Sequence, residues 1–183
     1  DNDKLPLVMA RVMRPPADGK LARILDLGCS AGATTTSLKV VHPTAEVTGI
    51  DISAPMVRYA HLRAIEQNIA VDFKQMDAAK MDFPDNHFDA VLAMLLFHEV
   101  PVEISRAIIA ETLRVLRPGG VLTLVDFSGD RDRDVYNMFF AVMDAADNGE
   151  PFLPGYVRSN VEDLLVAAGF ELEAFNPANS LRT

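Results

Sequence analysis

Asp26, Gly28, Ser30 and Gly32 stand at alternate positions in the stretch Ile-Leu-Asp-Leu-Gly-Cys-Ser-Ala-Gly-Ala, Ile24 to Ala33. Glycine tolerates positive φ and lets backbone come within contact distance of a ligand, and a helix opening just beyond offers unpaired N–H groups. Such residues, Cys29 among them, form a cradle for something small and polar. A dinucleotide fingerprint, Gly-x-Gly-x-x-Gly, would need glycine where Ser30 and Ala33 stand, so pyrophosphate is disfavoured. Asp51 follows Gly32 by 19 residues, the separation at which a nucleotide-binding α/β unit places a carboxylate for two ribose hydroxyls. A strand-end Asp is otherwise a turn or cap residue. His98 carries the imidazole best suited to a general base near neutral pH, with Glu99 and Asp126 as further candidates; the plainer alternative is a structural hydrogen bond.

Positioning these groups requires a strand, turn and helix repeated along the chain. Apolar residues at 24–27 read as a strand that runs through the glycine turn into a helix from Thr34 to Val41, stopped by His42-Pro43, with His42 solvated. Glu46 to Ile52 is a second strand. Ser53 caps a helix with Pro55 in its first turn, apolar on Val57, Ala60, Ala64 and Ile65, and with His61 toward water. Val71 to Gln75 is a third strand, and the continuous apolar run Ala90 to Leu96 is a central parallel one. A helix from Pro101 to Leu116 puts Ile104, Ile108 and Val115 in the core, stops at Arg117-Pro118-Gly119-Gly120 and leads to a fifth strand ending at Val125. Val135 to Ala146 reads as helical with an apolar stripe on Tyr136, Phe139, Phe140 and Met143. Ser159 to Glu162 fits a capping box for a last helix closed by Gly169, and Phe170 to Phe175 is a sixth strand. Leu5 to Met13 is a helical lead-in ended by Pro15-Pro16.

Asp-x-Gly-x-Ser-x-Gly, the Phe-Pro-Asp-Asn-His-Phe-Asp run from Phe83 to Asp89, Phe-His-Glu-Val-Pro from Phe97 and Leu-Arg-Val-Leu-Arg-Pro-Gly-Gly-Val-Leu-Thr-Leu-Val from Leu113 together resemble the class I S-adenosylmethionine-dependent methyltransferases. Ser30 departs from the family's usual middle glycine, and Glu99 stands where its His-His-Val-Pro signature has a second histidine. The resemblance covers Arg23 to Phe175 and implies a Rossmann-like, doubly wound, mainly parallel α/β sheet with helices on both faces. It implies bound S-adenosylmethionine, leaving S-adenosylhomocysteine, held by Asp26, Gly28, Cys29, Ser30, Gly32, Asp51, Ile52 and Met56. Asp77 and Ala78 would meet the adenine edge, and the backbone of Ala93 and Met94 the methionine ammonium. Met at helical spacing is equally a core residue, and Asp77 alone is a loop carboxylate. The family's substrate lid falls between strand five and the next helix, where Tyr136 and Tyr156 are candidate acceptor contacts or core rings. Its seventh, antiparallel strand would begin at Ser180 to Thr183 and be cut short; a homodimer filling that edge stays open.

At 183 residues and 49% hydrophobic composition the sequence fits one domain, with residues 1–22 leading in, 23–127 binding the cofactor and 128–183 on the substrate side. A net charge of −9 argues against nucleic acid or an anionic membrane as partner. One cysteine permits no internal disulfide and suits the cytoplasm, and no metal is expected. The function expected is methyl transfer to a small, partly apolar acceptor. A catalytically silent S-adenosylmethionine-binding module and, against the missing glycines, a nucleotide-dependent oxidoreductase are the alternatives.

Overall fold

Alternation along the two central strands decides the layering. The computed structural model describes residues 4–127, 143, 146–147 and 149–172. Its order is α1 (Lys4–Val12), β1 (Arg23–Leu27), α2 (Ala33–Val41), β2 (Glu46–Asp51), α3 (Ala54–Glu66), β3 (Asp72–Gln75), β4 (Phe88–Met94), a 3-10 turn (Phe97–Glu99), α4 (Val102–Val115), β5 (Leu116–Val125), α5 (Leu153–Ser159) and α6 (Val161–Ala168). Ile24, Ala90 and Leu92 point to one face, where Ala10 and Met13 from the α1 region and Leu38 of α2 pack on them. Leu25, Leu27, Val91 and Ala93 point to the other, against Ile108, Ile109 and Val115 of α4 and Leu164 and Leu165 of α6. Side chains two apart share a sheet face, so an unbroken apolar run serves both layers.

The sheet has the order β3-β2-β1-β4-β5, and every pairing is parallel. This is the doubly wound Rossmann-like arrangement expected. Chain direction of travel reverses between β1 and β4, and in such sheets ligands sit beyond the carboxyl ends of the strands at that switch point.

Several local expectations change. Ser53 precedes α3 without capping it through its side chain, and Ile65 is exposed because only Ala60 and Ala64 of that helix are buried. Ile104 is likewise exposed; Ile109 replaces it in the core. The capping box does not form: Ser159 Oγ donates back to the Tyr156 carbonyl at 2.8 Å, while Asn160, at φ 47°, reaches Asp163 at 2.6 Å. His42 is half-buried rather than solvated, its Nε2 is without a partner, and burial lowers its pKa despite an opposing backbone hydrogen bond at Ala10. Residues 170–172 carry no strand, and the rest of the expected sixth and seventh strands, with Tyr136 and most of the 135–146 helix, lies outside the described residues. Gly169 does close α6, at φ 111°, with Phe170 N–H on the Leu165 carbonyl at 3.0 Å.

Two ion-pair clusters fasten the loops on the far edge. Asp89 accepts the Ala22 and Arg23 N–H groups at 2.7 and 2.8 Å and the Arg117 guanidinium at 2.5 Å, tying the start of β1 to the 117–120 bulge of β5. Arg114 bonds Glu111, Asp85 and the carbonyls of Met81 and Phe83, so the Phe-Pro-Asp connection is held by α4. His87 is half-buried and stacks on Phe83 at 6.0 Å.

Candidate functional site

The loop after β1 turns twice through the left-handed region, at Gly28 (φ 68°) and Gly32 (φ 78°), with Ser30 between them at φ 47°. A side chain at Gly32 would stand 2.6 Å from Phe73 Cζ and 2.8 Å from Ala60 Cβ; at Gly28 it would meet Leu96 Cδ1 at 3.0 Å. The first glycine lets the loops of β1 and β4 close on each other at the switch point, and the second lets α2 start against α3 and β3. Ser30 tolerates its conformation at a cost of about 1–2 kcal/mol, which is why glycine suits that place.

Asp51 bridges two loops. Its Oδ2 accepts the Ser30 N–H at 2.9 Å and its Oδ1 the Ser53 N–H at 2.8 Å, so the carboxylate is fixed at the tip of β2 beside the glycine turn. Each oxygen keeps a second lone pair. Asp26 lies underneath instead: it is 1% exposed, accepts the Thr35 hydroxyl at 2.6 Å, and burial pushes its pKa up to about 7 against that bond. The same burial, then the Asp26 and Asp51 carboxylates, push the Cys29 thiol pKa up, so Cys29 offers its backbone, whose N–H donates to the Ile50 carbonyl.

Asp77, exposed beyond β3, accepts the Ala79 N–H through Oδ1 in a tight turn, and Met76 N–H donates to the Asp51 carbonyl, which places Asp77 and Ala78 next to the β2 tip. Ile52 (70% exposed) and Met56 (44%) are open apolar groups on the same rim; the core alternative for Met56 does not hold. Ala93 is buried, and Met94 Sδ lies 3.8 Å from the Thr34 hydroxyl. Leu95 then takes φ 54°, a strained value for a bulky side chain, while its N–H donates to the Val125 carbonyl.

At the tips of β4 and β5 the site is built from side chains. His98 is 4% exposed, and its Nδ1 lies 2.6 Å from Asp126 Oδ1; Nε2 faces Glu99 Oε1 at 3.6 Å. Asp126 also accepts the Phe97 and Phe127 N–H groups. Phe127 meets the His98 ring edge-on at 4.8 Å. Tyr156, read as an acceptor contact or a core ring, sits in α5 with 4% exposure; its hydroxyl donates to the Phe127 carbonyl at 3.1 Å, and burial, followed by Asp126 and Glu162, raises its pKa. Its place is behind His98 rather than at an open surface. In the sequence Asp126 is a further candidate beside Glu99, and Phe127 has no signal beyond its place after a strand-end acid.

The cradle's charge is one-sided. Residues 26–36, 51–57 and 93–99 contain no Lys or Arg, whereas the carboxylates of Asp51, Glu99 and Asp126 stand in or beside them. A phosphate would find no cation in these stretches; a positively charged nucleoside fits the donor set. Among the described residues, no group of three or more His, Cys, Asp or Glu could hold a metal ion, and no helix is long and apolar enough to cross a membrane.

Residues 24–120 match the family model described as a methyltransferase domain. The ubiquinone/menaquinone biosynthesis C-methyltransferase UbiE of Stutzerimonas stutzeri is 39% identical over 109 residues, covering 58% of this chain and 42% of that protein. The demethylmenaquinone methyltransferase of Thermus thermophilus is 34% identical over 141 residues, 75% of this chain and 60% of that protein. This chain therefore spans less than two thirds of either. Among solved structures, an S-adenosylmethionine-dependent methyltransferase of Methanosarcina mazei superposes with a TM-score of 0.59 at 27% identity, covering 76% of this chain and 65% of that one.

Proposed function

Because the chain belongs to the class I S-adenosylmethionine-dependent methyltransferase family, we propose that it transfers the methyl group of S-adenosylmethionine to a small, partly apolar acceptor. The one-sided charge carries the reading: a cradle of backbone turns ringed by carboxylates and without a Lys or Arg suits a cationic cofactor. Asp51 takes the ribose hydroxyls on the lone pairs its backbone donors leave. Asp77 and the Ala78 N–H take the adenine edge, and Ile52 and Met56 lie along its sides. The turn at Gly28, Cys29, Ser30 and Gly32 and the backbone of Ala93 and Met94 hold the amino-acid end. Asp26 supports the turn from below through Thr35. When bound, the cofactor supplies a sulfonium methyl open to in-line displacement, so alignment of the reacting groups does most of the catalysis.

On the acceptor side, Leu95 and Phe127 are 42% and 43% exposed beside His98. This apolar margin, together with the names of the two curated relatives, makes a quinol-like aromatic ring methylated on carbon the first acceptor to test. Calorimetric titration should give micromolar binding of S-adenosylhomocysteine and none of NAD. Binding of NAD in its place would overturn the proposal. Binding of S-adenosylhomocysteine without methyl transfer to quinol, phenol or amine acceptors would make the chain a binding module.

A further inference from the structure

The groups behind the tip of β4 do more than pack. Asp126 side-chain oxygens are fully buried, and both accept backbone N–H groups, Oδ2 from Phe97 at 2.8 Å and Oδ1 from Phe127 at 2.8 Å. Both are therefore acceptors toward the imidazole, and the 2.6 Å contact is a donation from His98 Nδ1–H. In the neutral imidazole that leaves the lone pair on Nε2, the nitrogen nearer Glu99. Glu99 is the outermost of the three: its side chain is 59% exposed against 5% for His98 and none for Asp126. Among the described residues, the titratable groups in contact with the imidazole are Asp126 just past β5, Glu99 from its own turn and Tyr156 from α5, with Glu162 of α6 acting on Tyr156; none of these is a cation.

We infer that Asp126, His98 and Glu99 form a proton relay running from the core to solvent, in which Asp126 is a positioning residue that fixes the His98 tautomer and Nε2 is the base toward the methyl acceptor. This rests on the methyl-transfer reading above. The acceptor's O–H bond breaks with its electron pair left on oxygen; that oxygen, or the ring carbon its charge reaches, bonds the methyl carbon as the C–S pair returns to sulfur, and a ring carbon then loses its own C–H proton with that pair restoring the aromatic ring. The O–H proton goes to Nε2, where the carboxylates on either side offset the imidazolium charge, and leaves through Glu99 to water. The acceptors that need this are those that lose a proton on methylation, such as a hydroxyl or an aromatic carbon activated by a neighbouring hydroxyl.

Two measurements on the full chain test it. Long-range ¹⁵N NMR reads the tautomer without any turnover: wild type should show the proton on Nδ1 of His98, and Asp126→Asn should populate the other tautomer. In the pH profile of kcat/KM, wild type should show one ionisation that His98→Gln lacks, and Asp126→Asn and Glu99→Gln should each alter that profile. His98→Gln should lower kcat by about 100-fold with S-adenosylhomocysteine affinity unchanged. A proton on Nε2 in wild type, or an Asp126→Asn profile identical to wild type, would overturn the relay. A chain that binds S-adenosylhomocysteine and shows the Nδ1 proton but methylates nothing would instead defeat the methyl-transfer reading and leave the dyad standing.

Discussion

The tips of β1 to β3 and the tips of β4 and β5 solve the same problem with different materials. The first group is made of backbone: two left-handed glycines, the Ser30 and Ser53 N–H groups, and one carboxylate that pins them. The second is made of side chains from residues 98, 126 and 156, brought together by the sheet. Backbone turns need particular residues at fixed short spacing, and they leave a rigid mould. A side-chain cluster tolerates wide sequence separation, and it depends on strand order for its existence. The difference predicts that damage to the first group will remove cofactor binding, and that damage to the second will alter turnover while binding survives.

Beneath the mould lies the residue with the largest expected effect. Asp26 is pushed up to about 7 by burial, so the fold holds its proton across a range where the unfolded chain has lost it. Below about pH 4 both states are protonated; as pH rises from about 4 to about 7, stability falls by about 4 kcal/mol, and above that it levels. Asp26→Asn removes this slope. Asp18 and Glu111, held low by hydrogen bonds from Arg117 and Arg114, act in the opposite sense, but they do so in both proteins and cancel in the difference. Urea unfolding of the two proteins between pH 4 and 8 measures it, and parallel curves would mean that Asp26 ionises freely.

Gly32→Val comes next. The left-handed backbone costs about 1–2 kcal/mol and overpacking against Ala60 and Phe73 about as much again, so about 3 kcal/mol of stability should go, with S-adenosylhomocysteine binding lost entirely. Retained binding would show that the turn is not the mould. Asp51→Ala should leave the fold standing and weaken S-adenosylhomocysteine about 100-fold by calorimetry, the loss of hydrogen bonds to one charged group. An unchanged dissociation constant there would break the comparison on its cofactor side.

This split also explains what could be read in advance. Gly28, Gly32, Asp51 and the parallel strands were legible because local spacing and period carry them. Asp126 as the partner of His98 was not, since nothing within 28 residues of sequence says that the ends of β4 and β5 are neighbours until the strand order is known. Tyr156 shows the same limit: an aromatic run beside a proline fits an acceptor contact or a core ring, and only the packing of α5 shows the ring turned inward. The misplaced Ile65 and Ile104 are apolar residues at helical spacing whose helices bury a narrower face than the pattern allows.

Tyr156→Phe carries the smallest effect, and it separates the two groups most cleanly. The hydroxyl makes one hydrogen bond, to the Phe127 carbonyl, and the same residue's N–H donates to Asp126. Deleting it leaves that carbonyl without its donor, at a cost of about 1 kcal/mol in unfolding free energy. The ring remains against His98, so the core keeps its shape. Since the change reaches Asp126 and His98 but no residue of the glycine turn, S-adenosylhomocysteine affinity should stay within about twofold of wild type. If affinity instead fell along with stability, the backbone mould and the side-chain cluster would be one cooperative unit, and the β1–β4 switch point, where Leu96 touches Gly28, would be the place that couples them.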